Sequence, residues 1–236
     1  MSLFDWITRY GFFPYHKTRF LEGGCGIGDF FSKWIEHADV REATAVDLSP
    51  AMIEKAKNLN KKGSFIVGDL HNLPFPEGSF DLCFSLCVFH HLQDPRKALA
   101  ELKRVSKGGT VVIGWNEADL SVGLEKLHYQ SLKTSCFSSP YTDESSMRNL
   151  YDNLKQVLFE GGPHSIHQYI NELRFPSAKD ALEYYCSAMI LRGVSHTEPL
   201  PSSLLAEIRS TVQQLLEIQQ EEHFRKSVLH LYVYSS

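Results

Sequence analysis

A carboxylate followed by a glycine-rich loop gives the segment Glu22–Gly28 the clearest chemical signature in the sequence. Glu22 ends a short apolar run, and three glycines then alternate with other residues. Because glycine lacks a side chain and tolerates positive φ, such a loop lets a ligand approach the backbone closely. A helical pattern begins at Phe30, so the segment predicts a strand, a glycine turn and a helix, the opening of a βαβ unit.

The spacing E-x-G-x-G-x-G distinguishes this loop from two common nucleotide-binding loops. A dinucleotide fingerprint requires G-x-G-x-x-G, and Asp29 stands where its third glycine would fall. A P-loop requires Gly-Lys-Ser/Thr, and that sequence does not follow here. By itself the loop is compatible with a ligand site or with an ordinary tight turn.

The string Glu22-Gly23-Gly24-Cys25-Gly26-Ile27-Gly28 resembles the first motif of the class I S-adenosylmethionine-dependent methyltransferases. The resemblance implies that the loop surrounds the methionine part of the cofactor, with Glu22 near its ammonium group. The loop residues implied to bind the cofactor are Gly24, Cys25, Gly26 and Gly28. The chemistry agrees, because this cofactor has no pyrophosphate for a helix N-terminus to bind but carries two positive groups.

Asp47 ends the second predicted strand, about 20 residues after Gly28, the separation expected of an acidic residue that binds ribose hydroxyls. One carboxylate can accept hydrogen bonds from two adjacent hydroxyls. By resemblance, Asp47 is the ribose ligand, and Leu48 and Met52 pack on the adenine. The alternative is an N-capping aspartate beside a core methionine, but Ser49, followed by proline, already supplies that cap.

Asp69 and Leu70 follow the third predicted strand, Ser64–Val67. The resemblance implies that Asp69 accepts a hydrogen bond from the adenine amino group and that the backbone amide of Leu70 serves a ring nitrogen. The alternative is a turn aspartate that satisfies its own backbone. Ser85, in the fourth predicted strand, completes the cofactor-binding residues that the resemblance implies.

Two adjacent histidines, His90 and His91, follow the fourth strand, at the edge where open parallel sheets bind ligands. The string S-L-C-V-F-H-H-L-x-D-P resembles the methyltransferase-11-like branch of the family. A histidine here could act as a general base, so both are candidate catalytic residues. The alternative is that one packs on or caps the next helix while the other faces solvent.

Aromatic residues are frequent in residues 1–18, which could form either a lid over the cofactor or a helix and loop packed on the sheet. Trp6, Tyr15, Phe89 and Trp115 are candidates for cation–π contact with the sulfonium or the acceptor. Aromatic residues more often belong to the core, and that alternative stays open for all four.

Strand and helix patterns alternate over residues 19–116, which predicts a doubly wound parallel sheet of the α/β class. The resemblance implies a single methyltransferase domain over residues 1–236, with a mainly parallel, seven-stranded Rossmann-like sheet and an antiparallel last strand. Residues 19–116 would form its cofactor-binding core. Residues 118–222 have mostly helical periodicity and are expected to form a cap interleaved with the last strands, over an acceptor pocket.

Composition limits the classes of partner. The chain has 236 residues, 43% of them hydrophobic and 22% charged, and its formal net charge is −4, which gives no support for binding nucleic acid. No apolar run approaches the ~18 residues of a membrane helix, and the first residues do not resemble a secretory signal. Five cysteines without C-x-x-C, and histidines without ligand spacing, suggest free thiols, a cytoplasmic protein and no metal.

The function implied by the resemblance is transfer of a methyl group from S-adenosylmethionine to a small-molecule acceptor. One alternative is a protein that binds the cofactor without catalysis, as a sensor or a partner subunit. An RNA methyltransferase or an NAD-dependent oxidoreductase fits less well, because of the charge balance and of Asp29 in the loop. The sequence leaves open the acceptor, the atom methylated and the oligomeric state.

Overall fold

Seven strands and seven α-helices make up the described part of a computed structural model, namely residues 18–60, 62–134, 144–187, 202–218 and 224–235. In chain order they are β1 (Thr18–Gly23), α1 (Asp29–His37), β2 (Val40–Asp47), α2 (Pro50–Leu59), β3 (Ser64–Val67), β4 (Leu82–Leu86), α3 (Pro95–Val105), β5 (Thr110–Ala118), α4 (Gly123–Thr134), α5 (Glu144–Glu160), β6 (Ser165–Arg174), α6 (Ala178–Ser187), α7 (Ser202–Ile218) and β7 (Phe224–Ser235).

The strands form one sheet in the order β3-β2-β1-β4-β5-β7-β6. The pairs β1–β2, β2–β3, β1–β4 and β4–β5 are parallel, and the last strand is antiparallel. This confirms the predicted fold. The chain runs outward from β1 to β3 and then returns to place β4 on the other side of β1. The carboxyl ends of β1 and β4 therefore flank a topological switch point, where open α/β sheets bind ligands.

An aromatic cluster fixes α1 against the centre of the sheet. The ring of Phe20 on β1 lies 5.9 Å from that of Phe31, 5.7 Å from that of Trp34 and 5.8 Å from that of Phe84 on β4. Phe31 and Trp34 are buried on the same face of α1. Burying each such side chain contributes roughly 1.5–3 kcal/mol, so this cluster holds the helix that follows the glycine loop.

Capping residues set the starts of α2 and α3, and the cap of α2 is the one that the sequence predicts. Ser49 caps α2, with its hydroxyl accepting from the amide of Met52 at 3.4 Å, and Pro50 is the first helical residue. Asp94 caps α3, and its Oδ1 accepts from the amide of Lys97 at 3.0 Å. Both caps satisfy backbone donors that have no partner within a helix.

The chain divides into two compact units. The first comprises the residues up to Trp115, Leu154–His167 and the residues from His230 onward. The second comprises Asn116–Asn153 and Gln168–Leu229, in which α7 packs against α4 and α6. The helices α4 to α7 are interleaved with β6 and β7 along the chain, and their role as a cap stays a prediction. In the part of the chain that the structure describes, no helix is long and apolar enough to cross a membrane.

A buried polar cluster lies inside the second unit. Arg225 donates through Nε to Oε1 of the buried Glu125. The ring of His128 lies 2.6 Å from the hydroxyl of Tyr185, both side chains being buried. Burial lowers the pKa of His128 to about 4, since the charged imidazolium would lose its hydration.

Two strands extend beyond their predicted bounds. The apolar pattern Thr110–Trp115 predicts the fifth strand, which continues to Ala118, and the alternation Val228–Tyr234 predicts the last strand, which begins at Phe224. The amide of Asp119 donates to the carbonyl of Lys226 at 2.9 Å, so backbone pairing reaches past the charged residues that interrupt the apolar alternation. The candidate lid, with Trp6 and Tyr15, and residues 188–200 lie outside the described residues.

Candidate cofactor site

The glycine loop between β1 and α1 is anchored to the end of β2. The amides of Gly24 and Cys25 both donate to the carbonyl of Val46, at 2.7 and 3.0 Å. The amide of Gly26 donates to Oδ2 of Asp47 at 2.8 Å. The end of the second strand thus holds the loop, and Asp47 lies against Gly26 although the two residues are 21 positions apart in the sequence.

The three loop glycines have positive φ, of 75°, 54° and 82° in order, but differ in what surrounds them. A Cβ on Gly24 would lie 2.3 Å from Cγ2 of Val88, and one on Gly28 would lie 3.0 Å from the ring of Phe65. A Cβ on Gly26 would have none of the described residues within 4 Å, apart from its chain neighbours. Neighbouring side chains therefore block a Cβ at Gly24 and crowd one at Gly28, whereas the described residues leave room for a ligand beside Gly26.

The carboxylate of Asp47 accepts hydrogen bonds from two backbone amides and can accept more. Its Oδ2 accepts from Gly26, and its Oδ1 accepts from the amide of Ser49 at 2.9 Å. Each oxygen keeps a lone pair, enough for two adjacent hydroxyls. Beside it, the side chain of Leu48 is 69% exposed and that of Met52 is half-buried, so apolar surface is available next to the carboxylate.

Glu22 is fully buried at the end of β1, and one of its oxygens lacks a partner. The amide of Phe31, in the first turn of α1, donates to its carboxylate. Its Oε2 meets no hydrogen-bond partner in the described part of the chain. Burial, followed by the negative charges of Asp29 and Asp47, raises the pKa of Glu22 to about 8. The site therefore holds a carboxyl group suited to receive a positively charged hydrogen-bond donor.

Asn60, the C-cap of α2, holds the far side of the loop. Its Nδ2 donates to the carbonyl of Ile27 at 3.0 Å and to that of Ala56 at 2.8 Å, and its Oδ1 accepts from the hydroxyl of Ser32. The sequence identifies Asn60 only as a residue that closes a helix. Its contact with the loop depends on the packing of α2, which no local pattern reveals.

Asp69 follows β3 on an exposed turn, and one of its oxygens is already bonded. Its Oδ1 accepts from the amide of His71 at 2.9 Å and lies 2.7 Å from Nδ1 of the same residue. The donors of His71, the backbone amide first, hold the pKa of Asp69 below its usual range. The neighbouring Leu70 is buried, and its Cδ2 would touch a Cβ on Gly23 at 2.6 Å. Its side chain therefore packs in the core, and only its backbone amide is a candidate ligand.

Comparison with known proteins assigns this part of the chain. The methyltransferase-11 family model, described as a methyltransferase domain, matches residues 21–113. Residues 21–113 are a methyltransferase domain. Malonyl-[acyl-carrier protein] O-methyltransferase of Serratia marcescens is 37% identical over 93 residues, which are 39% of this chain and 36% of that protein.

Two solved structures have the same fold over almost all of the chain. A protein from an antibiotic biosynthesis pathway of Anabaena variabilis has a TM-score of 0.68 at 18% identity, with 97% of this chain and 95% of that chain covered. Phosphoethanolamine N-methyltransferase 2 of Haemonchus contortus, in complex with S-adenosylhomocysteine, has a TM-score of 0.56 at 19% identity, with 98% and 51% covered. The chain spans 36% of the length of the Serratia relative and 55% of that of its counterpart from Hamiltonella defensa.

In the methyltransferase domain, the end of β4 places the candidate histidines. Cys87, just after β4, has a φ of 58°, which is uncommon for a residue with a side chain, and its amide donates to Gly114 at 2.7 Å. A 3-10 turn, Phe89–His91, follows and was not predicted. In it His90 is half-buried, His91 is exposed, and their ring centroids lie 3.9 Å apart. Their role as bases stays a prediction.

Other predicted residues of the methyltransferase domain lie in its core. Ser85 is fully buried, and its hydroxyl donates to the carbonyl of Gly23 at 2.9 Å, so it ties β4 to the start of the loop. Phe89 and Trp115 are also buried, and Trp115 stacks on His230. Cys25 is buried, and burial raises the pKa of its thiol to about 12, which leaves it almost entirely protonated.

S-Adenosylmethionine fits the methyltransferase domain by three features of the chain itself. Within the described residues, Glu22 offers a buried oxygen without a partner and Gly26 has room beside its backbone, while Asp47 keeps lone pairs for a diol. Among the described side chains, no Lys, Arg or His forms an ion pair with Glu22 or Asp47, so neither carboxyl group is already paired with a cation of the protein. Which residues touch the cofactor stays a prediction.

Proposed function

We propose that the chain transfers a methyl group from S-adenosylmethionine to a small-molecule acceptor. The methyltransferase domain and its relatives support the reaction type, and the fit of the site to the cofactor supports the assignment of residues. One observation carries the proposal. Gly26 has a left-handed backbone, and no described residue lies within 4 Å of the place of its missing Cβ, in contrast to Gly24 and Gly28, so a ligand can approach the backbone there.

Each residue of the proposed site has a role that follows from its chemistry. The cofactor, when bound, supplies a methyl group on a positively charged sulfur. Glu22 accepts from the ammonium group through Oε2, and Asp47 accepts from the two ribose hydroxyls. Leu48 and Met52 cover a face of the adenine, while Asp69 accepts from its amino group. Holding the acceptor in line with the methyl group then supplies much of the acceleration, since the leaving group is already good.

Gly26→Ala tests the proposal, with Gly108→Ala as the matched control. Both glycines have positive φ, of 54° and 82°, and a Cβ on either would have no other described residue within 4 Å. Both variants should therefore lose a similar stability, of about 1 kcal/mol, from backbone strain. Calorimetric titration with S-adenosylhomocysteine should show at least tenfold weaker binding for Gly26→Ala alone.

Titration of the unchanged protein gives the reference. We expect micromolar binding of S-adenosylmethionine and S-adenosylhomocysteine and none of NAD. Absence of binding to both sulfur cofactors would contradict the proposed function. Equal affinity in Gly26→Ala and Gly108→Ala would show instead that the loop is only a turn.

The acceptor is the next question, and we propose that the second unit provides its selectivity. One protein named above is an O-methyltransferase and another an N-methyltransferase, so the comparison does not indicate which atom of the acceptor is methylated here. Following S-adenosylhomocysteine production with carboxyl, hydroxyl and amine acceptors would identify the class. If every acceptor fails although the cofactor binds, the alternative of a non-catalytic cofactor-binding protein gains support.

A further inference from the structure

The side chain of His71 lies between the turn after β3 and the start of α3. Its Nδ1 is 2.7 Å from Oδ1 of Asp69, and its Nε2 is 3.4 Å from the amide nitrogen of Asp94, the N-cap of α3. Its side chain is only 20% exposed. A single imidazole thus joins the carboxylate expected to meet the adenine to a rigid helix terminus.

The hydrogen-bond pattern assigns the tautomer of this ring. The backbone amide of Asp94 can only donate, so Nε2 must accept and carry no proton. The proton of the neutral ring then lies on Nδ1, where it points at Oδ1 of Asp69. The backbone amide of His71 donates to the same oxygen. With two donors on Oδ1, the oxygen of Asp69 left to accept from a ligand is Oδ2.

We propose that His71 is a positioning residue that orients the carboxylate of Asp69 toward the amino group of the adenine. The inference rests on the proposed function, because it assumes that Asp69 accepts from that amino group. Without the imidazole, the exposed side chain of Asp69 would rotate and keep only the backbone donor. Selectivity for a 6-aminopurine would then decrease, since a purine with a 6-oxo group offers no donor to Asp69.

Two substitutions distinguish this role from the alternative, in which His71 only links the turn after β3 to the start of α3 through its bond to Asp94. In His71→Asn the amide nitrogen takes the place of Nδ1, so the bond to Asp69 can form and the link to Asp94 is lost. In His71→Gln the amide oxygen reaches the place of Nε2, so the link to Asp94 can form and the bond to Asp69 is lost. The two variants therefore divide the contacts of one side chain between them.

The experiment measures the affinity of each variant for S-adenosylhomocysteine and for S-inosylhomocysteine, which has an oxo group in place of the amino group. The unchanged protein should prefer the adenine compound. His71→Gln should bind it about tenfold more weakly, the loss expected for a hydrogen bond to a charged group, while binding the inosine compound as before. His71→Asn should retain the preference.

The opposite pattern would overturn the inference. If His71→Gln retains the preference and His71→Asn loses it, the link to α3 is what matters. If His71→Gln binds both compounds more weakly by the same factor, positioning is also excluded. A residue that only holds the turn against α3 would change the affinity for both compounds without distinguishing the amino group from the oxo group. Failure of the unchanged protein to bind S-adenosylhomocysteine would refute the proposed function itself, which distinguishes that result from the others.

Discussion

At the scale of single residues, the burial of Glu22 makes the protonation state of its carboxyl group depend on whether a ligand is bound. The carboxyl has a pKa of about 8, against an ordinary value of 4.5, because it lies in the protein interior near Asp29 and Asp47. In the free protein at pH 7 it is mostly protonated. An ammonium group next to Oε2 favours the ionised form, so binding should release the proton.

Proton release is measurable by titrating S-adenosylhomocysteine at pH 7 in buffers that differ in ionisation enthalpy. We expect close to one proton per binding event for the unchanged protein and none for Glu22→Gln, which should also bind more weakly. The same release from both proteins would assign the proton to another group.

The sign of the pH effect on stability follows from the same pKa values. The folded chain holds the proton of Glu22 more tightly than the unfolded chain, so its contribution to the free energy of unfolding decreases as pH rises from about 4.5 to about 8. His128 acts in the opposite direction. Its pKa is lowered from 6.5 to about 4, so its contribution decreases as pH falls through that range.

At the scale of elements, the position of two residues of the candidate site could be predicted because the sheet determines it. The ends of β1 and β2 carry Glu22 and Asp47, and the alternation of strands and helices is enough to bring them together. The roles of the loop glycines could not be separated, because only the packing of Val88 and Phe65 makes Gly24 and Gly28 differ from Gly26.

Two residues were missed because their contacts join distant elements. Asn60 reaches Ile27 from the end of α2, and His71 reaches Asp94 from the turn after β3. In the sequence, each lies in a predicted turn, and nothing in the neighbouring residues distinguishes it from any other polar turn residue. Predicting these contacts would require the helices to be placed in three dimensions, which periodicity does not provide.

Asn60→Ala tests whether α2 shapes the loop. The change removes the bonds of the amide to Ile27 and Ala56, so we expect a loss of roughly 1–2 kcal/mol in the free energy of unfolding and weaker binding of S-adenosylhomocysteine. Lys57→Ala, at an exposed position in the last turn of the same helix, is the control. Unchanged affinity in Asn60→Ala would show that the loop keeps its shape through its bonds to β2 alone.

At the scale of the whole molecule, the second unit depends on a buried pair of charges. Removing the arginine from the Glu125–Arg225 pair leaves a carboxylate inside the protein, where burial already raises the pKa of Glu125. Replacing both partners by apolar residues leaves no buried charge, so the double change should cost much less stability than the single one. The pair therefore offers a way to weaken the second unit and then restore it.

Arg225→Met should reduce the free energy of unfolding in urea by about 3–5 kcal/mol, and Glu125→Leu combined with it should recover most of the loss. A stable single variant would show that Glu125 is well hydrated or protonated without its partner. A double variant no more stable than the single one would mean that the pair specifies packing that apolar side chains do not replace.

Cys25 gives the loop a chemical reporter. Its thiol is buried, bonded toward the carbonyl of Gly26 and protonated, so an alkylating reagent reacts with it only when the loop opens. Cys87 and Cys186 are half-buried and provide a reference within the same molecule. The ratio of labelling at these positions, read by mass spectrometry, would report how often the loop opens without any probe being introduced. A ligand that fills the space in front of Gly26 should slow the labelling of Cys25 in proportion to its occupancy.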